Sequence, residues 1–302
     1  MTGAAHRPLV KDKPKELGNR PLVKDKLKEL GCRPLVKDKL KELGCRPAKS
    51  RGQNFLKDGG VIRRLAGIIL ADAGGEKLLE IGPGLGALTR PLLAAGAEIL
   101  AVELDRGLAE NLRNEERPGL TVLNQDILTL DPAEFSGPRF LFGNLPYSIS
   151  SPALFWFLRH RRAFSGALFM LQKELADRLT AAPGSRAYGR LSVALGLWCR
   201  VEKVLAVPAS AFHPRPRVAS AVLWFRPVPP GEEPPVQPEV LGRFTLAAFG
   251  ARRQNLLNNL ARAYGRKRAA LVLADFGLDP GLRAETLAPP ILAALARALE
   301  PQ

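Results

Sequence analysis

The segment Phe142-Gly143-Asn144-Leu145-Pro146-Tyr147 collects residue types suited to chemistry on an aromatic amine. The exocyclic amino group of adenine is a poor nucleophile because its lone pair is delocalised into the ring. Two acceptors for its two protons favour a pyramidal, more reactive nitrogen. Asn144 offers a side-chain carbonyl for that purpose and Leu145 a backbone carbonyl. Pro146 restricts Leu145 to extended geometry and so helps fix where that carbonyl points. Tyr147 supplies a flat face on which an extruded base can stack. Taken alone, the tetrapeptide fits an ordinary Asn-x-Pro turn with a core tyrosine equally well.

Three upstream features narrow the choice. Leu78 to Ala87 is an apolar strand running into a glycine-rich turn, where Gly82 and Gly84 let backbone approach a nucleotide closely. Gly82, Gly84 and Ala87 also fit the dinucleotide pattern G-x-G-x-x-A, so at this point a nicotinamide-dependent oxidoreductase and a turn without any ligand both compete. Glu103 lies about twenty residues on, where a carboxylate can accept from both hydroxyls of a ribose, a group common to either cofactor. Asp126 follows a third apolar run; it either accepts from an adenine amino group or caps a helix before Ile127.

The elements that must position these residues alternate as an α/β fold requires. Strands are expected at Lys77–Ile81, Glu98–Glu103, Thr121–Leu123, Arg139–Gly143, Ala167–Leu171, Leu195–Val207 and Ser220–Arg226, with helical spacing at Leu88–Ala95 and Leu108–Glu115. Pro227–Pro238 reads as a linker. Beyond it, Val240–Gly250, Arg252–Ala263, Lys267–Phe276 and Pro290–Leu299 read as helices. The implied organisation is an N-terminal arm (1–50), a doubly wound α/β domain (51–226), a linker (227–238) and a small helical domain (239–302).

The arm holds three near-copies of RPLVKDK(P/L)KELG, starting at Arg7, Arg20 and Arg33. Each has Pro near its start and Gly near its end, so it forms at best a two-turn helix with little apolar surface, and a disordered or fraying arm is the expectation. A basic tether for RNA and a duplication without a selected role are both open, with the second favoured. The arm carries 14 Lys and Arg against 6 Asp and Glu, half of the net +16 of the 302-residue chain. A sequence pI of about 10.3 points to a polyanionic partner. No apolar run spans a membrane, no signal-like start is present, and cytoplasmic residence is expected. The 3 Cys and 3 His show neither a disulfide framework nor metal-ligand spacing.

Arg252, Arg253, Arg262, Arg266, Lys267 and Arg268 cluster in a stretch without acidic residues from Arg243 through Leu273, which suits docking on RNA phosphates, although a solvated helix face reads the same way.

Taken in order, Gln53 to Leu56, Glu80 to Gly86, Glu103 to Asp105, Gln125-Asp126, Asn144 to Tyr147, Leu171 to Glu174, Tyr188 to Ser192 and Phe212 to Val218 resemble the rRNA adenine dimethyltransferase family, in its bacterial 16S rRNA branch, from Gly52 to about Leu299. The resemblance implies a class I S-adenosylmethionine-dependent methyltransferase fold with a helical C-terminal domain, acting on two adjacent adenosines near the 3′ end of 16S rRNA in the small subunit or its precursor. It implies that Asn54 and Leu56 close over the cofactor, that Gly82, Glu103 and Asp126 hold its methionine end, ribose and adenine, and that Asn144 is shared between cofactor and target. It further implies that Phe212 stacks opposite Tyr147, whereas the residue by itself reads as a core aromatic. A monomer needing neither metal nor membrane is expected. Two alternatives keep the same surface: a 23S rRNA adenine methyltransferase of the antibiotic-resistance type, and a mainly non-catalytic ribosome assembly factor. The thirteen-residue repeats depart from the family pattern.

Overall fold

In the computed structural model, residues 36–42, 53–135 and 139–300 are described. Seven strands form the central sheet: β2 (Lys77–Ile81), β3 (Ile99–Glu103), β4 (Leu120–Asn124), β5 (Arg139–Asn144), β6 (Phe164–Gln172), β7 (Cys199–Val207) and β9 (Ser220–Pro227). Their order is β4-β3-β2-β5-β6-β9-β7, with β9 antiparallel to both β6 and β7 and the other pairs parallel. The chain reverses direction of travel across the sheet between β2 and β5, which makes a crevice at the carboxyl ends of these strands.

Burial explains why the inner parallel strands β2, β3, β5 and β6 read as nearly continuous apolar runs. Successive residues point to opposite faces, and both faces are covered. Leu78, Phe140, Phe142 and Leu168 pack in one core with helices α2 (Gly59–Ala73) and α4 (Arg106–Arg113). Leu79, Leu141, Phe169 and Leu171 pack in the other with α5 (Ser150–Arg159), α6 (Lys173–Leu179) and α7 (Arg190–Trp198). A short helix α3 (Thr89–Ala94) follows the glycine turn, and the two-residue strands β1 (Phe55–Leu56) and β8 (Phe212–His213) pair antiparallel apart from the main sheet.

The second core continues without a break into the helical domain, built from α8 (Pro238–Ala248), α9 (Leu256–Tyr264), α10 (Arg266–Asp275) and α11 (Pro289–Leu299). The Tyr188 hydroxyl donates to the Leu287 carbonyl at 3.0 Å, tying the two parts together. The expected linker is strapped down as well: Glu233 pairs with Arg161 at 2.6 Å and with Arg162, and Val236 is buried. The helical domain therefore stands in a set orientation to the sheet.

Three expectations need correction. Leu195–Trp198 is not strand but the end of α7. That helix is wedged between sheet and helical domain and is buried on nearly every side, so it lacks the polar stripe that gives a surface helix its period. The helix expected from Arg252 starts at Leu256, because Asn255 caps it by accepting from the Asn258 N–H, which leaves Arg252 and Arg253 in the preceding turn. In the arm, the third repeat forms helix α1 (Val36–Glu42), so disorder does not hold there; the remainder of the arm lies outside the described residues. Among the described residues, no helix is long and apolar enough to cross a membrane.

Candidate active site

A cavity opens at the carboxyl ends of β2, β3 and β5, between them and β1. It is lined by Asn54, Leu56, Gly82, Gly84, Glu103 and Asn144 to Tyr147, so most of the residues singled out from sequence converge on one place. Gln53, Phe55, Glu80, Pro83, Leu85, Ala87, Leu88 and Leu108 complete the wall.

The glycine turn is built to bring backbone to the cavity. Gly82 and Gly84 have φ of 63° and 58°, a region costly for side-chain-bearing residues. A Cβ on Gly84 would also lie 3.2 Å from the Phe55 ring. On β5, a Cβ on Gly143 would sit 2.6 Å from the Ile81 carbonyl oxygen, so glycine is needed to seat β5 against β2 directly before Asn144.

Glu103 is 6 % exposed and accepts from the Gly84 N–H at 3.0 Å and from the Asp105 N–H at 2.9 Å. Burial raises its pKa, and these two hydrogen bonds pull it back. A carboxylate held at the rim of the cavity, with its direction set by two backbone donors, is the acceptor that a sugar diol needs. Glu80 was missed as a lining residue. It is 3 % exposed, takes the Thr89 hydroxyl proton at 2.6 Å, and burial pushes its carboxyl up to about 8, with Glu103 nearby adding to the rise. An acid inside the apolar run Leu78-Leu79-Glu80-Ile81 was the available signal.

Asn144 donates its side-chain N–H to the Asn54 carbonyl at 2.9 Å. This bond uses one of the amide's two N–H donors and fixes the direction of its carbonyl oxygen, the group that can accept a substrate proton. Leu145 is anchored by its own N–H to the Met170 carbonyl at 3.2 Å, and the Pro146 carbonyl accepts from Ile149 N–H and Ser150 Oγ at 3.1 and 2.9 Å. The Asn-Leu-Pro-Tyr turn is thus held by β6 and the start of α5. Tyr147 is half-buried on the cavity wall, and burial raises its phenol above the usual range.

Two expected site residues sit elsewhere. Asp126 Oδ1 accepts from the Leu128 N–H at 2.9 Å, the helix-cap arrangement, and it is not on the cavity wall. Phe212 is 1 % exposed in the first core, paired with Leu56 across β1 and β8, again away from the cavity. Stacking on a base would need this strand pair to open. Phe212→Ala is therefore expected to cost about 3–5 kcal/mol in stability, measured by denaturant unfolding. A loss below about 1 kcal/mol would show that the ring is not held as core.

The six cations of the helical domain are all exposed, Arg252 and Arg253 in the turn before α9, Arg262 on α9, and Arg266, Lys267 and Arg268 at the start of α10. They are not without local partners as charge counting suggested: Arg266 donates to Asn258 Oδ1 at 3.1 Å, Arg268 to the Glu300 carbonyl at 2.7 Å, and Arg252 to the Arg186 carbonyl. These partners are neutral oxygens, and among the described residues none of the six cations is paired with a carboxylate.

Known proteins resemble this chain in sequence and fold. The family model for ribosomal RNA adenine dimethylase matches residues 46–291. The chain is 41% identical over 245 residues to the ribosomal RNA small subunit methyltransferase A of Enterobacter sp. (strain 638), covering 79% of this chain and 88% of that one. It is 40% identical over 243 residues to the protein of the same name from Idiomarina loihiensis, covering 79% and 83%. Among solved structures, a dimethyladenosine transferase from Plasmodium falciparum superposes with a TM-score of 0.66 at 24% identity over 80% of this chain and 95% of that one, which speaks to fold. The 23S rRNA methyltransferase ErmE gives 0.60 at 29% identity over 82% and 99%.

Proposed function

The chain belongs to the ribosomal RNA adenine dimethylase family, with a class I methyltransferase fold and a methyl donor of the S-adenosylmethionine type, and from that premise we propose that it dimethylates the N6 amino groups of two adjacent adenosines near the 3′ end of 16S rRNA. It works as a monomer in the cytoplasm on the small subunit or its precursor. The observation that carries the reading is the Asn144–Tyr147 turn on the wall of a cavity that is also lined by Gly82, Gly84 and Glu103. The 23S reading is not favoured, because the relatives with the higher identity carry the small-subunit name.

S-adenosylmethionine bound in the cavity supplies an electrophilic methyl group on a sulfonium. Glu103 accepts from its ribose, the Gly82–Gly84 backbone takes the methionine end, and Asn54 and Leu56 close the N-terminal side. For Asp126 to reach the adenine, its free oxygen must serve while the other caps Leu128. The target amino group is held by the Asn144 and Leu145 carbonyls, and Tyr147 supports the base. Positioning and aligned dipoles provide most of the rate enhancement. Mapping methylated adenosines in the 16S rRNA of a strain lacking the gene tests this directly. Loss of methylation at two adjacent sites, restored by the gene, is expected; an unchanged map overturns the substrate assignment.

Two variants test the parts. Glu103→Ala is expected to raise the cofactor dissociation constant tenfold or more, taking about 1.5–3 kcal/mol for a charge-assisted hydrogen bond, with turnover largely recovered at saturating cofactor. A rate that stays low at saturation contradicts a pure binding role. Arg252→Glu with Arg253→Glu is expected to reduce the salt slope of RNA binding by about 1–2, at roughly 0.7–0.9 per phosphate contact, leaving cofactor affinity unchanged. Identical slopes for both proteins would mean that this turn faces only water.

A further inference from the structure

Leu40 of α1 is 4 % exposed and forms a small separate core with Phe55, Leu85 and Leu108, against which Val36 also packs. Phe55, Leu85 and Leu108 all line the cofactor cavity, whereas Leu40 does not. Val36 and Leu40 of the arm's third repeat thus pack on three residues of the cavity wall. Val36 and Leu40 are four residues apart and lie on one helix face. A seven-residue helix is marginal by itself in water, so its order derives from this docking.

Residues 20–32 and 33–45 are the same thirteen-residue sequence, RPLVKDKLKELGC, so Val23 and Leu27 repeat Val36 and Leu40. The first repeat has Pro14 at the corresponding place, a residue that lacks leucine's branched side chain and is unfavourable inside a helix. We propose that Phe55, Leu85 and Leu108 form a docking notch for the arm, filled interchangeably by the third or the second repeat and never by the first, and that the docked helix buttresses the cofactor site.

The notch can distinguish two identical helices only by their tethers. Residues 43–52 connect the third repeat to Gln53 and residues 30–52 the second. Loop closure scaling as the 3/2 power of length favours the third about three- to fourfold, so the second is a ready replacement rather than an equal. The buttress acts through Phe55, whose ring closes on Gly84, whose N–H is held by Glu103.

The test uses full-length protein and two readouts. Hydrogen exchange of peptides containing Leu85 and Leu108 reports docking without reference to any ligand; S-adenosylmethionine affinity by calorimetry reports the buttress and rests on the proposed cofactor. Leu27→Asp alone is expected to stay within about twofold of the parent in exchange rate, and Leu40→Asp alone to exchange about four- to fivefold faster. The double variant is expected to exchange more than tenfold faster and to bind cofactor about threefold or more weakly. Adding Pro14→Leu to the double variant should restore protection, because it completes the first repeat. Leu40→Asp alone behaving like the double variant overturns interchangeability, and so does failure of Pro14→Leu to rescue. A double variant that exchanges like the parent overturns docking. Faster exchange with unchanged cofactor affinity overturns the buttress while keeping the notch, and no binding of cofactor to the parent would instead count against the proposed methyl donor.

Discussion

Asn144→Ala is expected to lower the methylation rate on ribosomal RNA about 100- to 1,000-fold at saturating cofactor, the range found when one positioned group that stabilises a transition state is removed. The expectation follows from what the side chain does on each side. Its N–H is tied to the Asn54 carbonyl, so its own carbonyl is the half of the amide that can take a proton of the adenine amino group. Alanine removes that acceptor, and the nitrogen lone pair stays delocalised. Because Asn144 is only half-buried at the end of β5, the fold should survive the change. The substitution also loosens Asn54, so some loss of cofactor affinity is expected too. Asn144→Asp separates the two roles: it keeps an acceptor towards the target but repels the Asn54 carbonyl. At saturating cofactor, Asp should retain clearly more rate than Ala. Single-turnover methyl transfer with cofactor binding measured alongside decides the matter, and equal rates for Ala and the parent enzyme would remove Asn144 from the chemistry.

The residues whose roles depend on chain order were legible, because a glycine turn, an acid after the next strand and an Asn-Leu-Pro-Tyr segment after the fourth all land at the same sheet edge once the strands are parallel. Lys77–Ile81 matched to the residue, since a five-residue run bounded by Gly and Glu leaves little freedom. Phe212 was not legible in this sense. A Phe in a Pro-rich segment can face a base or a core, and only the pairing of β1 with β8, two residues long and separated by more than 150 in sequence, places it inside. Helices α2, α5 and α6 were missed; the ends of α2 depend on Asp58 accepting from Val61 and on Gly74 at φ 60°, signals that count only once a helix is suspected. The arm shows the opposite failure. Its composition argued for a disordered or fraying segment with little apolar surface to bury, yet Val36 and Leu40 of the third repeat suffice where a notch of three apolar side chains already exists.

Glu80 gives the second large effect, in stability. Burial holds its carboxyl protonated up to about pH 8, whereas in the unfolded chain it ionises near the ordinary value of 4.5. Between those two values the folded protein keeps a proton that the unfolded chain has lost. Unfolding then releases a proton, and stability falls as pH rises, by roughly 1.4 kcal/mol per pH unit. The contribution is complete below about pH 4.5 and gone above about 8. Glutamine cannot ionise and still offers a carbonyl to the Thr89 hydroxyl, so Glu80→Gln should remove this slope. Near pH 5 the two proteins should differ little, and by pH 8 the variant should be the more stable by several kcal/mol. Asp72, whose acid is also raised by burial, is present in both proteins and cancels in the difference. Denaturant unfolding of both proteins from pH 5 to 8 measures it. A difference that stays constant across that range would mean that Glu80 is ionised in the folded protein. A second variant probes the neighbour: Glu103 adds to the rise at Glu80, so Glu103→Gln should move the upper end of the window down in pH, with the lower end unchanged.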